Sequence, residues 1–210
     1  MRGTFLLLVV AAVLMGCGNP GGPATAPLGS AEEYVARGES LAEEGKYPEA
    51  IDHFSAALEL DPYSAEAYFQ RGRAHYDYAV SICTDLTGQP PEAVPFLPDE
   101  VVEQTELAVA DYGSAVELDP EYAKAYNNRG NARATLGDLG GALEDYDQAL
   151  ALDRSLTLTY FNRGAIQYRL GNYEEAIGDL RRYLELDPHT DDRERIEALI
   201  EEMGEGNTPQ

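Results

Sequence analysis

Three histidines (His53, His75, His189) and two cysteines (Cys17, Cys83) are the side chains of this 210-residue chain best suited to hold a metal or act as base or nucleophile. Such chemistry needs several of them on one local frame, as in Cys-x-x-Cys or His-Glu-x-x-His spacings. No such spacing occurs, and there is no phosphate-binding glycine loop and no Gly-x-Ser-x-Gly elbow. Acid pairs such as Asp145 and Asp147 are common in a chain with 38 acidic and 15 basic residues, and they read as solvated surface. Cys83 reads as a small apolar helix residue. The expectation is a protein that is not an enzyme and uses no metal and no cofactor. What remains is binding chemistry. Gln70, Asn128 and Asn162 each stand directly before an Arg-Gly pair, and a carboxamide both donates and accepts hydrogen bonds.

The segments that carry these residues repeat. Tyr34-Val35-Ala36-Arg37-Gly38 returns as Tyr68-Phe69-Gln70-Arg71-Gly72, Tyr126-Asn127-Asn128-Arg129-Gly130 and Tyr160-Phe161-Asn162-Arg163-Gly164. Three copies precede Leu60-Asp61-Pro62, Leu118-Asp119-Pro120 and Leu186-Asp187-Pro188, while the remaining one precedes Leu152-Asp153-Arg154. Arg37 to Arg71 is 34 residues, Arg129 to Arg163 is again 34, and Arg71 to Arg129 is 58, one period with 24 residues inserted. A period of this size predicts stacked helical hairpins, each unable to bury its apolar face without neighbours.

The pattern resembles the tetratricopeptide repeat family. Counted from Ala31, Tyr34, Gly38, Ala50, Phe54, Ala57 and Pro62 stand at the family's signature places, as do Tyr68, Gly72, Ala108, Tyr112, Ala115 and Pro120 in the second repeat. The third repeat keeps Tyr126, Gly130, Ala142, Tyr146 and Ala149 but has Arg154 for the proline; the fourth has Leu180 and Tyr183 for the usual aromatic and alanine. The resemblance implies an all-α, right-handed solenoid of four hairpins (31–64, 65–122, 123–156, 157–190) closed by a capping helix over 191–203. The signature glycines and alanines are expected to let helices approach closely. Gly45, Gly137 and Gly171 should end first helices in a left-handed cap. The prolines should stop second helices, since proline disfavours helical geometry in the residue before it.

The ends read differently. Residues 5–15 form an apolar run after Arg2, and Leu14-Met15-Gly16-Cys17 closes it. Eleven apolar residues suit a signal-peptide core and are too short for a spanning helix. The ending resembles a bacterial lipobox, which implies cleavage after residue 16, lipidation (palmitate among the acyl chains) of Cys17 and a lipid-anchored place in a bacterial cell envelope. An ordinary secretory signal is the alternative. Gly18 and Asn19 follow, not the aspartate that favours inner-membrane retention in Gram-negative bacteria, so the periplasmic face of an outer membrane is favoured where the host has one. The rest of 17–30, rich in Pro and Gly, is expected to be a flexible tether, with Ser30 and Glu33 as a capping box. Thr190 should cap the last helix, and 205–210 should be a disordered tail. With Cys17 lipidated, Cys83 is the only thiol and no internal disulfide can form.

In the family, first helices line a concave groove. The corresponding places here are Phe69, Gln70 and Arg73; Lys124, Asn127, Asn128 and Asn131; and Phe161, Asn162, Ala165, Tyr168 and Arg169. Gln70, Asn128 and Asn162 share one place, a ladder that could hold an extended peptide, with Phe69, Phe161 and Tyr168 for apolar side chains and Lys124 and Arg169 for a carboxylate. The first helices of repeats three and four hold Lys124, Arg129, Arg133, Arg163 and Arg169 and no acid, so this half of the groove should be neutral to basic inside an acidic shell. The net charge of −23 argues against nucleic acid and against charge-driven lipid binding. The lysine and arginine clamp for chaperone C-termini is not supplied by Val35, Glu39, Leu158 and Asn162.

The insertion should lengthen the second hairpin, with Pro90, Pro91, Pro95 and Pro98 in its loop and a second helix starting near Asp99. Val94, Phe96 and Leu97 near its tip offer a second contact surface, or fold back on Val101 and Val102 as a mini-core. The function expected is an adaptor or scaffold that binds a protein or peptide partner in its groove. A small-ligand or carbohydrate sensor using the same groove is the alternative.

Overall fold

The computed structural model describes residues 29–94 and 96–206. Cys17, the lipobox and most of the tether lie outside the described residues, as does the tail from Asn207. Among the described residues nine α-helices follow in order: α1 (Ala31–Glu43), α2 (Tyr47–Leu60), α3 (Ala65–Thr87), α4 (Asp99–Leu118), α5 (Ala123–Thr135), α6 (Leu139–Leu152), α7 (Thr157–Leu170), α8 (Tyr173–Leu186) and α9 (Arg193–Gly206). A 3-10 turn, Pro91–Ala93, lies between α3 and α4. The architecture is an all-α solenoid of four hairpins with a terminal helix.

Local chemistry sets the boundaries. Ser30 and Ser64 accept hydrogen bonds from the backbone N–H of Glu33 and Ala67, at 3.3 and 3.1 Å, and so begin α1 and α3. Gly137 and Gly171 take φ of 84° and 80° and let the chain turn sharply after α5 and α7. Second helices end at an extended aspartate whether or not proline follows. Asp61, Asp119 and Asp153 each accept from the backbone N–H two residues on, at 3.1, 3.0 and 2.8 Å. This aspartate turn explains why α6 stops at its usual place although Arg154 replaces the proline. The last helix starts at Arg193, two residues later than expected, and runs through Gly206. Thr190 does not cap it by its side chain; its hydroxyl meets Tyr183 Oη at 2.9 Å. Ile196, Ile200 and Met203 seal the stack against Leu180, Tyr183 and Leu184.

Each helix packs on the next in sequence, and α1, α3, α5 and α7 also touch one another in series. First helices therefore lie on the inner, concave side. Close approach within a hairpin rests on the signature glycines: a Cβ on Gly130 would come within 2.7 Å of the Tyr146 ring.

A second lock was not foreseen. Arg71, Arg129 and Arg163 each grip an aspartate of the following helix through two nitrogens. Arg71 holds Asp111 (2.8 and 2.7 Å), Arg129 holds Asp145 (3.0 and 2.7 Å) and Arg163 holds Asp179 (2.8 and 2.6 Å). Each guanidinium also lies over the tyrosine one turn earlier, 5.4 to 5.9 Å from the ring centre. The reading of Asp145 as solvated surface is corrected: it is 2% exposed, because two arginines, Arg129 and Arg133, neutralise it. Asp147 is exposed as expected and pairs with Arg163 at 2.6 Å.

Candidate functional site

The concave face carries two adjoining recesses. The first, of about 570 Å³, lies between α3 and α5 and gathers Phe69, Gln70, Arg73, Lys124, Asn127 and Asn128, with Glu66 and Asp153 at its border. Two of its expected contact residues are sequestered. Phe69 is buried in the core, its ring 5.9 Å from that of Tyr112 and 4.8 Å from that of Tyr122. Gln70 is 6% exposed and donates to Glu39 Oε1 at 2.8 Å and Glu66 Oε1 at 2.6 Å. The carboxamide ladder therefore loses its first rung, because acids on α1 and α3 take the amide's N–H groups while its buried Oε1 has no partner among the described residues. Asn128 accepts from Asn127 Nδ2 at 3.0 Å, and Asn127 Oδ1 accepts from Thr159 of the next repeat at 2.7 Å. Burial pushes the phenol of Tyr112 well up, an effect that its neighbour Asn128 partly opposes.

The second recess, of about 770 Å³, joins the two surfaces that the sequence had presented as separate. Asn131, Phe161, Asn162, Ala165 and Arg169 form one wall, and Val94, Phe96 and Leu97 of the insertion form another. Asn131 Oδ1 accepts from Tyr146 Oη at 2.8 Å and from Asn162 Nδ2 at 3.0 Å, so the amides of α5 and α7 are held side by side. Val94 and Leu97 pack on buried Ala79, Cys83 and Val101 as a mini-core, while Phe96 is 88% exposed. Tyr168 lines neither recess; it lies against Tyr173 with ring centres 5.9 Å apart.

The expected basic groove is corrected in degree. Arg129, Arg133 and Arg163 are spent on Asp145, Asp179 and Asp147. Among the described residues Arg73, Lys124 and Arg169 make no hydrogen bond or ion pair, although Lys124 acts on Asp153. Sequence reading also passed over Tyr76 and Thr135, whose hydroxyls meet at 3.0 Å in the second recess. Both occupy groove places of the repeat, which was the signal available. No group of three or more His, Cys, Asp or Glu able to hold a metal occurs among the described residues. His75 is structural, bonding Gln104 Oε1 through Nδ1 at 2.8 Å.

A tetratricopeptide repeat model matches residues 38–77, 103–137 and 130–171, and a second one matches 156–201. This chain belongs to the tetratricopeptide repeat family. The stretch left between the first two matches holds most of the insertion. Hsp70-Hsp90 organizing protein 3 of Arabidopsis thaliana is 33% identical over 114 residues, 54% of this chain and 16% of that protein. RNA polymerase II-associated protein 3 of Xenopus tropicalis is 29% identical over 108 residues, 51% of this chain and 13% of that one. The repeat protein thus spans only a small part of either relative. Among solved structures, MamA superposes with a TM-score of 0.60 at 21% identity over 75% of this chain and 78% of its own, a likeness of fold. The first repeat domain of Spaghetti, bound to the HSP90 peptide SRMEEVD, gives 0.55 at 26% identity over 67% and 93%.

Proposed function

We propose that this tetratricopeptide protein is a lipid-anchored, non-enzymatic adaptor of a bacterial cell envelope that holds an extended segment of a partner protein along its concave face. The observation that carries the reading is the alignment of Asn127, Asn128, Asn131 and Asn162 across α5 and α7, with Lys124 and Arg169 beside them. Extended peptides are held in such grooves through backbone hydrogen bonds, with pockets reading alternate side chains. A relative that carries an HSP90 peptide in its repeat domain supports a peptide ligand. The tail of a chaperone is disfavoured, because Val35, Glu39, Leu158 and Asn162 offer no cationic clamp.

The anchor rests on residues 1–17. Metabolic labelling with an alkyne fatty acid should mark the protein in its host, Cys17→Ser should abolish the label, and membrane fractionation should place it in the outer membrane where there is one. Partner binding is tested by a photoreactive residue at Lys124, which lines the same recess, with capture lost when Asn128→Ala plus Asn162→Ala are added. Recesses of about 570 and 770 Å³ also suit a small ligand or a carbohydrate. Thermal stabilisation by sugars and not by peptides would replace the adaptor with that sensor.

A further inference from the structure

We infer that the inserted hairpin converts the C-terminal half of the concave face into a side-chain pocket, selective for a large apolar residue with an acidic one within one or two positions of it. The occupant is an internal segment of a protein partner. This inference rests on the proposal that the groove binds an extended segment, and it names the chemistry of that segment.

Three observations converge on the second recess. The first is apolar. The tip of the insertion is pinned by Val94 and Leu97 on Ala79, Cys83 and Val101, all three fully buried. Phe96 belongs to the same short loop yet stays 88% exposed, and it lines the recess together with Phe161. A pinned loop that offers one aromatic side chain is a preformed wall, so little order is lost when it closes on an apolar group.

The second observation is polar. Asn131 Oδ1 is occupied by Tyr146 and Asn162. Asn131 Nδ2 and Asn162 Oδ1 have no partner among the described residues, and both side chains line the recess. A donor and an acceptor held side by side match the C=O and N–H of a peptide backbone.

The third is charge. In a chain with 38 acidic and 15 basic residues, no acidic residue among those described lines this recess, while one described cation, Arg169, does. Arg169 makes no ion pair among the described residues, whereas Arg129, Arg133 and Arg163 are all paired. An internal segment is favoured over a chain end by continuity. Asn127 and Asn131 stand one turn apart on α5 and line the first and second recess respectively, so a bound chain can run on from one into the other.

The test is selection of random peptides, displayed with both ends blocked, on the full chain. Peptides enriched should carry a large apolar residue with an acid one or two places away from it. Fluorescence anisotropy of an enriched peptide should show affinity falling about tenfold in Phe96→Ser and in Arg169→Glu. Both residues are exposed, so folding should be unchanged by circular dichroism. Replacing the peptide's acid by lysine should restore binding to Arg169→Glu and to no other form. Enriched peptides that ignore both substitutions but weaken with Lys124→Glu would overturn the pocket and leave the groove reading standing. Enrichment only from a parallel library whose peptides have free C-termini would overturn the internal segment. No enrichment at all would overturn the groove reading itself.

Discussion

Repeats one and three share a frame and differ at one charged contact. Both pack an aromatic ring against a signature glycine, with a Cβ on Gly38 meeting Phe54 at 2.6 Å and one on Gly130 meeting Tyr146 at 2.7 Å. In repeat three, Arg129 then grips buried Asp145 and covers the Tyr126 ring. In repeat one the place of Asp145 is taken by His53, which lies against Tyr34 with ring centres 5.8 Å apart, and Arg37 is exposed. Packing alone holds the first hairpin, while packing plus a half-buried ion pair holds the other three. The helices that carry the arginines, α3, α5 and α7, are also those that present the recesses. Stiffness is thus placed where a ligand needs fixed side chains, and the first repeat does without it.

The largest effect should follow from breaking the lock in repeat three. Asp145→Ala leaves Arg129 and Arg133 without their shared carboxylate and should cost about 3–5 kcal/mol in chemical denaturation. Arg37→Ala, the matching change in repeat one, should stay within about 0.5 kcal/mol. Next comes the feature the two repeats share. Gly130→Ala drives a methyl group into the Tyr146 ring and should cost about 1–3 kcal/mol. Because Tyr146 supports Asn131, it should also weaken peptide binding; Gly38→Ala should cost similar stability and leave binding alone.

Alkaline pH separates the repeats by a different route. Burial pushes the phenols of Tyr112 and Tyr146 above their ordinary value, whereas repeat one has Phe54 at this place. A raised folded pKa means that the stability is complete below the unfolded value, about 10. It is lost as pH climbs from there toward the folded value, by about 1.4 kcal/mol per pH unit for each tyrosine. Denaturation midpoints between pH 8 and 11 should show this slope, and Tyr146→Phe should flatten it; an unchanged slope would mean that other groups set the alkaline limit.

The fold was legible because each boundary has a local cause. A glycine, a capping serine or an aspartate turn stands wherever a hairpin turns, and the period fixed the stacking. The arginine lock was missed although it too is periodic. Arg129 to Asp145 and Arg163 to Asp179 are both 16 residues, and Arg71 to Asp111 is 40, the same spacing lengthened by the 24-residue insertion. The candidate site was legible as positions but not as availability. Whether Gln70 faces a ligand or is consumed by Glu39 depends on a neighbouring helix 31 residues away. That Phe96 and Asn162 line one recess depends on how the inserted loop folds back, which no local spacing encodes.

The smallest expected effect would sharpen the comparison most. His53→Asp places a carboxylate where the other repeats have one, opposite Arg37. An exposed arginine gains little from pairing, so the stabilisation should be about 1 kcal/mol or less, seen as a rise in Tm of about 2–4 °C per kcal/mol. Amides of α1 should then exchange more slowly, and Arg37→Ala in the same background should erase the gain. A fall in stability would show that the His53 contact with Tyr34, and not a missing carboxylate, defines the first repeat. In that case its softness is built by substitution of one contact for another, and the lock of the other three repeats is a separate provision for the recesses they carry.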